Sequence, residues 1–127
     1  MMLDWNLGPL ADGLRCYQGQ EFFLAHEHWE IVWLRCQEPE KSFLQALIQV
    51  AAAFHHLQRN NQRGAASLLK AALRKLHSYP ALFAGVEVRS LGEEVEAWLH
   101  VLEAHASPVQ PPFPQIRFHL SPKEPGE

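Results

Sequence analysis

Cysteine is scarce in this chain. Only Cys16 and Cys36 occur among 127 residues. Two cysteines cannot build a disulfide framework, so they read as thiols kept reduced in a cytoplasmic setting. Long apolar runs are missing as well, and none approaches the ~20 residues that a membrane helix needs. The first residues, Met1-Met2-Leu3-Asp4-Trp5-Asn6, hold no basic stretch followed by an apolar one, so no secretion signal is expected. Glycine is sparse at seven residues. None of the seven builds a phosphate-cradling loop after a strand, which argues against nucleotide binding by that route. No Gly-x-Ser-x-Gly elbow exists to present a nucleophilic serine. The cysteines themselves, beside Arg15 and Arg35, read as small buried or half-buried residues before they read as nucleophiles.

What is present is a core. Hydrophobic residues make up 47% and charged residues 20%, which excludes a disordered chain. A 14.5 kDa chain is most simply one domain. Histidine and tryptophan are unusually frequent, at eight and four residues.

Charge is segregated along the sequence. Residues 1–41 carry net −4, residues 42–85 carry five bases and no acid, and residues 86–127 carry net −4. Packing of basic against acidic helices accounts for this pattern. A face along Arg63, Lys70 and Arg74 could also attract an anionic partner. Five bases are a thin footprint by nucleic-acid standards, so nucleic acid is not the expected partner.

Apolar spacing predicts helix nearly throughout. Leu7, Leu10, Leu14 and Tyr17 recur at helical intervals, and Gly19 ends that helix. A second helix over 20–37 turns Phe22, Ala25, Trp29, Val32 and Trp33 to one side, and Glu38-Pro39-Glu40 stops it. A third starts at Ser42 as N-cap, runs to about Asn60 and is apolar all round, which predicts a central, buried element. A fourth covers about 63–77 and a fifth about 87–105. No strand pattern is visible. Beyond Ser107, Pro108, Pro111, Pro112, Pro114 and Pro122 forbid a helix. Val109, Phe113, Ile116, Phe118 and Leu120 are too apolar for a bare linker, so part of this arm is expected to pack on the bundle or on a second subunit.

The second helix contains His26-Glu27-His28-Trp29-Glu30. At ~100° per residue, His26 and Glu30 lie one turn apart on one face, where an imidazole and a carboxylate could grip one cation. The third helix carries Gln45, Gln49 and His56 on one side. Antiparallel packing across Pro39 would bring that stripe opposite His26 and Glu30. His56 is then a third candidate ligand for a divalent metal such as zinc, and Glu27 a candidate general base on metal-bound water. The same residues also suit a buried hydrogen-bond network, whose disruption would cost several kcal/mol. His28, His55, His77, His100, His105 and His119 read as surface or helix-end residues.

Three blocks carry a family resemblance. They are Glu21 to Trp33 (EFFLAHEHWEIVW), Leu47 to His56 (LIQVAAAFHH) and Asn61 to Ala65 (NQRGA). In order and spacing they resemble the domain-of-unknown-function family 309, over about Gly13 to Glu103. The family pattern usually has Gly where this chain has Asn60. The resemblance implies a small all-helical cytoplasmic protein of bacteria or archaea, from a family sometimes labelled predicted metal-dependent hydrolases. Mapped by block, its polar positions are His26, Glu27, Glu30, Gln49, His56 and Asn61.

The sequence therefore predicts an all-α bundle of about five helices over 1–106 and a Pro-rich arm over 107–127. Two functions remain open. One is a metal-dependent hydrolase with His26, Glu30 and His56 as ligands, Glu27 as base, and Gln49 and Asn61 in support. The other is a non-enzymatic helical module with a structural polar cluster and a partner-binding role. A homodimer and a monomer with its own arm folded back are both compatible with the apolar arm.

Overall fold

The structure is a computed structural model that describes residues 3–104 and 110–119. Among these residues the chain forms α1 (Gly8–Gln18), α2 (Phe22–Trp33), α3 (Glu40–Gln58), α4 (Gln62–Leu76) and α5 (Val88–Ala104). Each helix packs on the next in sequence. The all-α expectation holds. α3 lies between α2 and α4, and Phe43, Leu44, Leu47, Val50 and Phe54 on its different sides are all buried. An all-round apolar helix needs such a central position.

Several boundaries differ from the expected ones. α2 ends at Trp33 rather than near Gln37, and the chain leaves it through two tight backbone bonds, Arg35 N to Val32 O and Cys36 N to Trp33 O. α3 begins at Glu40, so Ser42 is inside the first turn rather than its N-cap. The capping group is Glu38, which accepts from the Ser42 backbone N–H at 2.9 Å and from its hydroxyl at 2.6 Å. These bonds to the charged form hold the Glu38 carboxyl below its usual range. Gly19 does follow the last residue of α1, but the left-handed conformation falls on Gln20, at φ 63°.

Strand is present after all. β1 (Leu82–Phe83) and β2 (Val86–Glu87) form an antiparallel hairpin. Its turn residues Ala84 and Gly85 have φ of 53° and 79°, the left-handed values that two-residue hairpin turns need. Two residues per strand are too few for an alternation pattern to appear in the sequence.

The arm returns to the bundle. Tyr17 Oη donates to the Pro114 carbonyl at 2.6 Å, and Trp98 Nε1 donates to the Pro112 carbonyl at 2.9 Å. Prolines offer carbonyls but no N–H, so the bundle has to supply the donors. Phe113 inserts between Phe22, Phe54 and Trp98, and it lies parallel to Trp98 at 5.6 Å. Further on, Phe118 bridges Val86, and the Glu87 N–H donates to the Arg117 carbonyl. Phe113, Ile116 and Phe118 thus pack on the core as expected. Val109, Leu120 and His105 lie outside the described residues.

Candidate functional site

The motif His26-Glu27-His28-Trp29-Glu30 is positioned by its tryptophan. Trp29 is fully buried, donates from Nε1 to the Leu10 carbonyl at 3.2 Å, stacks on Tyr17 and meets Trp5 edge-on. Gly13 of α1 makes this possible, because a Cβ there would sit 2.4 Å from Trp29 Cδ1 and Nε1. The two helices are locked together through this contact. The residues flanking Trp29 are fanned around α2 by the helical rotation of ~100° per residue.

His26 and Glu30 do meet, with Nε2 and Oε2 3.5 Å apart. The pair is an i,i+4 contact with the carboxylate half exposed, the ordinary arrangement of a helix surface. The other side of the His26 ring is stacked on Phe23, and its Nδ1 is buried with no hydrogen-bond partner among the described residues. The ring therefore offers Nε2 alone to polar neighbours.

The remaining predicted residues are not gathered around this pair. Gln49 turns to α4 instead of α2, and its Oε1 accepts from Lys75 Nζ at 3.2 Å. His56 is held at the turn between α3 and α4, where its Nδ1 accepts from Asn61 Nδ2 at 3.1 Å. Asn61 at the same time caps α4, its Oδ1 accepting from the Gly64 N–H at 2.9 Å. Glu27 is exposed on the outer side of α2, beside Leu24 and Ile31. Among the described residues, no group of three His, Cys, Asp or Glu side chains is placed to hold a metal ion. The expected convergence across Pro39 thus reduces to three separate pairs. The physical reason is that Gln49 and His56 are engaged away from α2, by Lys75 of α4 and by Asn61 at the turn into α4.

Sequence reasoning placed His55 at the surface, but the structure tucks it partly under α2. Its ring lies 5.1 Å from Phe23. Burial pushes its pKa below the ordinary value, and Arg59, His56 and His26 add in the same direction. Burial also raises the thiols of Cys16 and Cys36, which makes both poor nucleophiles. The suggested anionic-partner face is partly spent internally, since Lys70 pairs with Glu103 at 2.8 Å.

The outer face of α2 carries a feature the inward apolar spacing had not flagged. Phe23 is 48% exposed, Leu24 45%, Ile31 50% and Leu34 71%. With Glu27, His28 and Glu30, three of these residues line a shallow groove of about 400 Å³. The signal was in the sequence, because Leu24, Ile31 and Leu34 follow helical spacing on the side opposite Trp29.

The first two sequence blocks are thus α2 with its tryptophan lock and the core stretch of α3, and the third is the capped turn into α4. Residues 10–68 match the family model of DUF309, described as a domain of unknown function. The matched segment spans most of α1, all of α2 and α3, and the first part of α4. A relative in Aquifex aeolicus (strain VF5), named only "Uncharacterized protein", is 35% identical over 79 residues. The match covers 59% of this chain and 24% of that protein, so this chain spans about a quarter of the relative's length. No helix among the described residues is long and apolar enough to cross a membrane.

Proposed function

We propose that the chain is a non-enzymatic helical module that works by contact, with its His, Glu and Gln residues serving local structure. The observation that carries this reading is the dispersal of the polar residues into three pairs: His26 with Glu30, Gln49 with Lys75, and His56 with Asn61. A catalytic centre needs an acid, a base or ligands aimed at one reacting atom. Here Nδ1 of His56 is already engaged by the residue that caps α4. The Aquifex relative supports the modular reading, because the matched segment is one part of a longer chain there.

The competing reading is a metal-dependent hydrolase with His26, Glu30 and His56 as ligands and Glu27 as base. It would need His56 to leave Asn61 and turn toward α2. Zinc titration of the purified chain, followed by calorimetry and thermal melting, separates the two. We expect less than one equivalent of zinc bound and no rise in Tm. The double variant His26→Ala with Glu30→Ala removes the pair, and Glu30→Ala alone, which deletes its half-exposed carboxylate, is expected to change stability by no more than about 1 kcal/mol. That is far below the several kcal/mol of a broken buried network. One equivalent of zinc, lost in the double variant, would overturn the proposal.

A further inference from the structure

Among the described residues, six large apolar side chains are exposed, and four of them lie on or just after α2: Phe23, Leu24, Ile31 and Leu34. Isolated exposed apolar residues are common, but a cluster within one element marks a contact surface. Leu24 and Ile31 are seven residues apart, so they stand nearly in line, two turns or ~10 Å from each other. Leu34 continues the row by one more turn. This is the spacing with which a helix meets a partner helix through i, i+3, i+4 and i+7 anchors.

The charge around the row selects the partner. Between residues 21 and 35 the sequence holds Glu21, Glu27 and Glu30 against the single cation Arg35. Glu27 and Glu30 line the groove itself, together with His28. A second copy of this face would set the glutamates against their own equivalents, which disfavours self-pairing. An anionic bilayer would be repelled in the same way. We infer that the outer face of α2 docks a basic amphipathic helix, whose apolar side covers Leu24, Ile31 and Leu34 and whose lysines or arginines pair with Glu27 and Glu30. This inference rests on reading the chain as a binding module, and it names that module's surface and partner chemistry.

The test uses two synthetic 18-residue helices that share one leucine face, one flanked by lysine and the other by glutamate. Binding to the full chain is followed by fluorescence anisotropy and by amide chemical shifts. The lysine peptide is expected to bind, with shifts confined to residues 23–35, and to weaken as salt is added. The glutamate peptide is expected to bind at least tenfold more weakly. Ile31→Ser with Leu34→Ser should lower affinity for the lysine peptide tenfold or more. Glu27→Lys with Glu30→Lys should reverse the preference between the peptides, a gain that a merely unfolded variant cannot produce. Equal binding of both peptides, shifts mapping elsewhere, or no binding would overturn the inference. So would a concentration-dependent dimer abolished by Leu34→Ser, because the occupant would then be a second copy. A zinc-loaded chain that still prefers the lysine peptide would sink the non-enzymatic reading and leave the α2 surface standing.

Discussion

Gly13 has no side chain, and Trp29 fills the space one would occupy. A methyl group at position 13 would press into the indole at 2.4 Å, and the fully buried indole has nowhere to retreat. Gly13→Ala is expected to destabilise the chain by about 1–3 kcal/mol through overpacking, measured by urea unfolding. Gly19→Ala is the control, since its Cβ would make an ordinary contact at 3.5 Å. His55 gives a pH prediction at the same scale. Its folded pKa is lowered mainly by burial, so below the ordinary value of about 6.5 the unfolded chain binds more protons than the folded one. Its contribution to stability is present in full above that value and is lost as pH falls through the folded pKa. Melting between pH 5 and 8 should show a smaller rise of Tm with pH in His55→Gln than in the parent. An identical slope would show that His55 does not titrate differently in the two states. Trp29 could be placed in the core from the sequence. The partial burial of His55 could not, because it depends on Phe23 reaching across from another helix.

The turn between α3 and α4 shows how one residue fixes two elements. Asn61 caps α4 through Gly64 and holds His56 at the end of α3. Asn61→Ala is expected to cost about 1–2 kcal/mol by loss of the cap, with Asn61→Asp retaining most of it. Asn60, just before, has φ 62°, a left-handed conformation that asparagine tolerates and glycine adopts freely. Asn60→Gly should therefore leave stability within about 1 kcal/mol of the parent, measured in the same denaturant titration. Here the sequence was informative in part, for Asn60-Asn61-Gln62-Arg63-Gly64 reads as a polar turn, and the structure keeps Asn60 and Asn61 in the turn while Gln62, Arg63 and Gly64 already open α4. The sequence could not say that the turn's asparagine would take His56 away from α2. Competition between partners is settled by distance, and distance across elements is absent from a linear sequence.

At the scale of the whole molecule, the described part of the proline-rich arm, residues 110–119, packs against the core. Phe113 touches aromatic rings from α2, α3 and α5, and Tyr17 and Trp98 pin the carbonyls on either side of it. Phe113→Ala is expected to cost about 2–3 kcal/mol, less than truncation of a fully buried aromatic because Phe113 is partly buried. Removal of residues 110–127 should lower the Tm further still and expose dye-binding apolar surface. A truncated chain that melts like the parent would show instead that residues 3–104 form the core alone.

The sequence by itself determined the five helices, the central place of α3 and the apolar anchors of the arm. Each of these follows from local spacing and from the inability of proline to continue a helix. The tertiary structure decided what the polar residues do. Helical periodicity says that His26 and Glu30 share a face, and they do. It says nothing about the rotation of α3 between its two neighbours. That rotation sends Gln49 to Lys75, leaves His56 with Asn61, and brings His55 to Phe23. It is set by how the apolar residues around α3 pack, and the polar side chains then bond to whatever lies nearest.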